Sequence, residues 1–320
     1  MGKPAVAEAE ATAAVYSPST VDRVEHLGFR LALRLCRAVP LRWSLRLGAM
    51  LGALFYLFDF RDRRIALKNL AFAFPDQPAA EHRRLLRATC RNLGRLAFEV
   101  AHMPALTQDS LPRYVRVEDP ARWAQVVARV RERGAIILTG HYGNWELLAY
   151  ACGLLGQPVT LIHRRMRNEL VDREIAALRG GAGTQFIAKK AAAKEALRRL
   201  RAKAMVAIPI DQNQIRSYGV FVDFFGLPAC TTTGPARLAM LTGAPIVPVF
   251  LVREGESERH RIVILPEVEL VRTGDREADI RTNTQRCSAV FEEMVRRHPD
   301  HWIWFHKRWK TRPEGEPRIY

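Results

Sequence analysis

His141 and Glu146 are the side chains whose spacing most directly suggests chemistry. They close the segment Ala135-Ile136-Ile137-Leu138-Thr139-Gly140-His141-Tyr142-Gly143-Asn144-Trp145-Glu146. The apolar run 135–139 reads as a buried strand, Gly140 breaks it, and Glu146-Leu147-Leu148-Ala149-Tyr150 opens a helical pattern. His141 is therefore expected at the carboxyl end of a strand, where open α/β sheets bind their ligands. An imidazole there can take a proton from an attacking hydroxyl. A carboxylate within reach can hold the other ring nitrogen and stabilise the imidazolium that forms. Such a pair suits acyl transfer to an alcohol. Gly140 and Gly143 allow close backbone approach, and Tyr142 and Trp145 supply apolar walls. Taken alone, H-x-x-x-x-E is a weak signal, because a loop histidine followed by an acid in a first helical turn is ordinary. A helical zinc motif is a poorer reading still, since H-E-x-x-H does not occur.

The elements that must position this pair follow from the apolar pattern. From Val21 to about Ala105 the periodicity is helical throughout, broken at Pro40 and Pro75. Beyond it strands and helices alternate. Candidate strands are 114–117, 135–139, 159–163, 205–210, 220–225, 246–252 and 261–265, and candidate helices are 120–133, 145–155, 168–179, 189–203, 232–242 and 280–298. The expected fold class is α/β, a mostly parallel or mixed central sheet flanked by helices, with an amino-terminal helical membrane-associating region. The division expected is a flexible tail over 1–20, the helical region over 21–105 and the catalytic domain over 106–320.

Composition narrows the partners. The chain has 320 residues, 48% of them hydrophobic, which is ample for a core and excludes a disordered protein. Five scattered cysteines without a C-x-x-C argue against a disulfide framework or zinc ribbon. A formal charge of +17 implies an anionic partner. Residues 1–20 lack the apolar core of a secretory signal. The stretch Leu47 to Phe58 is uncharged for 12 residues, short of the roughly 20 that a spanning helix needs. Arginines precede it (30, 34, 37, 42, 46), and Arg61, Arg63, Arg64 and Lys68 follow. A segment dipping into an anionic leaflet from the cytoplasmic side has this arrangement, and a buried core helix with solvated basic flanks is the rival. The stretch from Lys189 to Lys203 carries seven basic residues and one acid, Glu195, either a solvated face or a dock for an acidic carrier protein.

Five blocks in one order resemble a known family. They are Arg64-Ile65-Ala66-Leu67-Lys68-Asn69-Leu70 running on to Ala73-Phe74-Pro75; Gly140 to Glu146; Asp211-Gln212-Asn213; Phe224-Phe225-Gly226 with Thr231 to Ala236; and Trp304-Phe305-His306-Lys307-Arg308-Trp309-Lys310-Thr311-Arg312-Pro313. The sequence resembles the late acyltransferases of lipid A biosynthesis, the lauroyl and myristoyl transferases, from about Arg61 to Pro313. The resemblance implies His141 as general base and Glu146 as its orienting partner. Glutamate at the second position, where similar glycerol-phosphate acyltransferases have aspartate, favours a glycolipid acceptor. It also implies substrate-binding roles for Arg164, Asn168, Arg179 and Asp211. The donor implied is a thioester of acyl carrier protein or coenzyme A, with no cofactor and no metal. The partners implied are acyl carrier protein, an anionic glycolipid and inner-membrane lipids at the cytoplasmic face, not nucleic acid.

Several assignments stay open on sequence alone. Arg179, Arg164 or the backbone N–H groups of Gly143 and Asn144 could face the thioester oxyanion, or the arginines could grip acceptor phosphates. Phe221, Phe224, Phe225 and Leu227 read as an acyl-chain slot or as core. The aromatic and basic block from His301 to Lys310 reads as a base-stacking surface or a membrane interface. Rival functions are acylation of another glycolipid, such as a phosphatidylinositol mannoside, and a non-enzymatic basic membrane- or nucleic-acid-binding protein.

Overall fold

The computed structural model describes residues 16–163, 166–188 and 192–320. Four helices come first: α1 (Thr20–Ala38), α2 (Leu41–Phe58), α3 (Phe60–Ala73) and α4 (Ala79–His102). A Ser19/Asp22 capping box starts α1, and Pro40 and Pro78 precede α2 and α4. The junction of α2 with α4 is built on small residues. A Cβ at Gly48 would lie 2.6 Å from the Gly94 carbonyl oxygen, and one at Gly52 would lie 2.1 Å from that of Cys90. Only glycine lets these backbones approach so closely. The rest of α2 is left outside: Trp43, Leu47, Met50, Leu51, Leu54, Leu57 and Phe58 are exposed, as are Val21, Val24, Leu27, Leu31 and Leu35 on α1. Among the described residues no helix is long and apolar enough to cross a membrane.

The remainder is a mixed α/β layer. Its strands are β1 (Val115–Val117), β2 (Ala135–Thr139), β3 (Val159–His163), β4 (Gln185–Ala188), β5 (Met205–Pro209), β8 (Ile246–Arg253) and β9 (His260–Ile264), in the order β1-β9-β8-β2-β5-β3-β4. All neighbours are parallel except β8 with β9. The helices of this part are α5 (Pro120–Arg133), α6 (Trp145–Leu154), α7 (Glu169–Gly180), α8 (Ala192–Arg201), α9 (Gly234–Thr242) and α10 (Arg276–Arg297). β2 is buried along its whole length, as expected of a central strand covered on both faces.

The expected fold class is the one observed, with differences in detail. The strand expected over 220–225 is β6 (Gly219–Phe224), which leaves the main sheet and pairs as a separate antiparallel hairpin with β7 (Leu227–Thr232). β4 and β7 were not anticipated, one being a short edge strand and the other interrupted by Pro228. Most of the tail expected over 1–20 lies outside the described residues.

The carboxyl-terminal aromatics form core, not surface. Trp302, Trp304 and Trp309 are completely buried, with Phe224, Phe225 and Phe291 packed around them. This decides two readings that the sequence left open. The tryptophans are not available to stack bases or to sit at a membrane interface, and Phe224 and Phe225 are core, not the walls of an open slot. Arg308 is buried with them, donating to the Cys230 carbonyl at 3.1 Å and to Thr231 Oγ1 at 2.5 Å.

Candidate active site

The sheet register builds the centre of the site. β2 and β5 are parallel neighbours with Thr139 opposite Pro209. Two residues farther on, His141 and Asp211 emerge side by side at the carboxyl ends of the strands. The Asp211 carboxylate is fully buried, and both its oxygens lie 3.2 Å from His141 Nδ1. The backbone N–H of His141 donates to Asp211 Oδ2 at 3.0 Å, and Trp302 Nε1–H donates to the same oxygen at 3.1 Å. The ring is pinned in plane and position, and its Nε2 points away from Asp211, with only the Gln212 amide near it at 3.4 Å among the described residues. The His141 side chain keeps 27% of its surface exposed, so this buried acid supports a group that opens outward.

The charges are tuned accordingly. Burial alone would lower the pKa of His141, but attraction and hydrogen bonding from Asp211 outweigh it and Glu146 adds to them, so it lies above the usual histidine value. Burial would raise Asp211, yet the neighbouring His141 holds it far below the ordinary carboxylate range. His306, whose ring stands 5.4 Å from that of His141, is depressed by burial, only partly offset by Asp211. Trp145 packs edge-on against the His141 ring at 5.2 Å. The amide of Gln212 faces both histidines at 3.3–3.4 Å.

Glu146 does not take the post expected of it. It lies in the first turn of α6, where it accepts from Trp145 Nε1 at 3.1 Å and from Arg179 Nε at 2.6 Å, with a second Arg179 contact closing a bidentate pair. The carboxylate hydrogen-bonded to the imidazole is Asp211 instead. Glu146 thus ties α6 to the last turn of α7 and acts on His141 through its charge. Arg179 keeps 28% of its side chain exposed beside this pair. Asn168 is elsewhere. It caps α7 by accepting from Leu170 and Val171 N–H groups, and donates to the Asp22 carbonyl and to Glu25 on α1, each at 2.9 Å. Every polar atom of that buried amide is engaged structurally. Arg164 lies outside the described residues.

The backbone candidates for the oxyanion divide as well. Gly143 N–H donates to the His301 carbonyl at 2.8 Å and is not free. Gly143 adopts φ +57°, and a Cβ there would sit 1.8 Å from the Leu251 carbonyl oxygen, so the loop is wedged against β8. Ile303 N–H donates back to the His141 carbonyl at 3.2 Å. The loop that carries His141 is thereby stitched between β8 and residues 301–303.

His306 and Trp302 are site residues that pattern reading did not single out. The signal for them lay in the closing aromatic block, and α3 explains how that block is held. Buried Asn69 donates to the carbonyls of Trp304 and His306, each at 2.7 Å. Ligand atoms of His141, Asp211 and His306 lie within 4.8 Å of one another, so among the described residues these three could hold a metal ion. Donor chemistry favours a hydrogen-bonded relay, because N–H groups from His141 and Trp302 already converge on the carboxylate.

A histidine backed by a buried acid in this setting coincides with a family match. Residues 25–311 match the model of the bacterial lipid A biosynthesis acyltransferases. The chain belongs to that family. It is 27% identical over 275 residues to the lipid A biosynthesis palmitoleoyltransferase of Escherichia coli K12, covering 86% of this chain and 87% of that one. It is 26% identical over 283 residues to the lauroyltransferase of the same organism, covering 86% and 88%. It is also 25% identical over 292 residues to the phosphatidylinositol mannoside acyltransferase of Mycolicibacterium smegmatis, covering 90% and 92%. The protein is therefore an acyltransferase.

Proposed function

We propose that this acyltransferase moves a fatty acyl chain from an acyl carrier protein thioester to a hydroxyl of a lipid A precursor at the cytoplasmic face of the inner membrane. The observation that carries the chemistry is His141, presented at the sheet's carboxyl end and hydrogen-bonded through Nδ1 to the buried Asp211. With Nδ1–H donated to Asp211, Nε2 accepts the proton of the acceptor hydroxyl as its oxygen attacks the thioester carbonyl. The new C–O bond forms, the C–S bond breaks, and His141 returns the proton to the departing sulfur as a thiol. The step needs no cofactor. Arg179, oriented by Glu146, presents its remaining edge to the developing oxyanion or to an acceptor phosphate.

The basic face of α8 supports a carrier protein as donor, through Lys194, Arg198 and Arg201, all exposed. The apolar outer faces of α1 and α2 support attachment to a bilayer. A second reading, transfer to a phosphatidylinositol mannoside, is favoured by the mycobacterial relative. The test supplies radiolabelled acyl carrier protein or acyl coenzyme A with each acceptor and follows product by thin-layer chromatography. Label should move to the lipid A precursor from the carrier protein, and the His141→Ala variant should lose about 10² to 10⁴ in rate while keeping its fold. Transfer only to the mannoside would establish the second reading, and a His141→Ala variant with normal activity would sink both.

A further inference from the structure

Apart from the His141 site, a cavity of about 480 Å³ opens between α2, α4 and the turn joining β8 to β9. One face of α2 supplies Arg42, Leu45, Arg46, Ala49, Met50 and Ala53, at the three- and four-residue steps that align side chains along a helix. Arg91 and Arg95 of α4 stand opposite, with Glu256 and Glu258 from the turn. Cation and anion do not balance. Arg91 and Arg95 share the single Glu256 carboxylate at 2.9 Å each. Arg42 and Arg46 have no acidic partner among the described residues and instead lie 5.9 and 4.6 Å from the ring of Trp43. Buried Arg95 meets the 69% exposed Glu256 at 2.9 Å and donates to Asn92 Oδ1 at 3.0 Å, so the spare cations of the cavity are Arg42 and Arg46.

The pocket also has a direction. The charged residues of α2 lie in its first turns, and the uncharged stretch 47–58 that follows is about 18 Å long at 1.5 Å per residue. Exposed Trp43 lies among these arginines, one turn before the uncharged stretch begins, and tryptophan beside basic groups is usual at a lipid–water boundary. Arg42 and Arg46 stand at the charged end of α2, Arg95 and Arg91 stand level with Gly48 and Gly52 farther along it, and Leu45, Ala49, Met50 and Ala53 line the same cavity, a mixture that fits a ligand with a phosphate at one end and hydrocarbon at the other.

We propose that the cavity between α2 and α4 binds the headgroup phosphate of an anionic membrane phospholipid, at a site separate from the His141 centre. A guanidinium fork matches phosphate oxygens bidentately, and Arg42 and Arg46, without an acidic partner among the described residues, are the forks of this cavity left to take one. The proposal rests on α1 and α2 facing the bilayer, and is independent of which donor and acceptor the enzyme uses.

The test is co-sedimentation of the full chain with phosphatidylcholine vesicles and with vesicles that also contain phosphatidylglycerol. The protein should prefer the anionic vesicles, and the Arg42→Gln/Arg46→Gln variant should lose roughly thirtyfold of that preference, two arginines at about 1 kcal/mol each. A charge-matched Arg198→Gln/Arg201→Gln variant on α8 should keep it. Equal losses in the two variants would mean that net charge, not this cavity, makes the preference, and would overturn the proposal. Soluble glycerol 1-phosphate abolishing the preference would overturn it in favour of a free phosphate ligand. A variant that binds acyl carrier protein more weakly, with vesicle preference intact, would overturn it in favour of an acidic protein. Acyl transfer in detergent micelles should be unchanged in the Arg42→Gln/Arg46→Gln variant. That outcome verifies its fold and separates failure of this site from failure of the acyl-transfer reading.

Discussion

Two histidines of this enzyme stand beside buried carboxylates and respond in opposite directions. His141 meets Asp211 at 3.2 Å and is pushed upward. His260 lies 3.6 Å from Glu99, yet its pKa is brought down to about 4. The difference lies in who else claims the acid. Asp211 accepts from neutral N–H groups and from the imidazole, so its charge is available to a proton on His141. Glu99 is gripped bidentately by Arg253 at 2.7 and 2.5 Å and also accepts from Asn144 at 2.7 Å. For His260, burial dominates and the nearby Arg253 works in the same direction, leaving the pull of Glu99 insufficient. A buried carboxylate thus makes a proton-handling partner only where no permanent cation has already taken it. The first centre opens to substrate, whereas the second is sealed between α4 and β8 and holds Asn144, the residue that caps α6.

The largest effect should come from removing the free carboxylate. Asp211→Asn keeps the shape but loses the charge, and transfer should fall by about 10² to 10⁴-fold. In the native enzyme the rate should rise with pH through a His141 pKa above the usual histidine value, because the base works when neutral. In Asp211→Asn that limb should move to lower pH, since burial then acts on the imidazole with less opposition. A limb that stays in place would show that His141 and Asp211 do not titrate as a unit.

Removing the claimed carboxylate should act on stability more than on chemistry. Glu99→Gln leaves the Arg253 cation buried without its counter-charge, a loss of about 3–5 kcal/mol. It would appear as a lower denaturant midpoint with an unchanged slope. Transfer measured where the variant remains folded should fall far less than in Asp211→Asn, through loosening of Asn144. An unaltered midpoint would break the comparison, because Glu99 would then not be the counter-ion that its geometry describes.

The comparison also marks what could be read from sequence. β2 and β5 were legible because each is a short apolar run ended by polar residues, and His141 and Asp211 were legible as strand-end positions. Their contact was not. It spans 70 residues and depends on β5 lying beside β2 with Thr139 opposite Pro209, an order of strands that periodicity does not encode. The same gap explains Glu146, which is near in sequence but turns toward Arg179, 33 residues away. The Trp302 to Trp309 block misled for another reason. Interleaved aromatic and basic residues look like a surface, but Arg308 finds carbonyl and hydroxyl partners inside, so the whole block can be buried. Glu99 and His260 left no local signature, since each lies in an otherwise regular helix or strand.

The smallest and most selective test is the pH dependence of stability. His260 stays neutral in the folded chain down to about 4 but takes a proton near 6.5 once unfolded. Between those values the unfolded state binds more protons, so stability falls as pH drops from 6.5 toward 4, by about 3 kcal/mol in all. His141 works the other way. Its raised pKa contributes stability that is fully present below 6.5 and lost as pH rises through the folded value. His260→Gln should therefore flatten the acid side of the stability curve and leave the neutral side alone, with Glu99, Arg253 and His301 still in place around it. His141→Gln should flatten the curve between 6.5 and the raised folded value, lower stability by a constant amount below 6.5, and release Asp211 from the imidazole that holds its pKa down. Carboxylates elsewhere titrate alike in both variants and cancel in the difference. If both substitutions changed the slope in the same pH window, the two histidines would share one response, and the distinction between a free and a claimed carboxylate would fail.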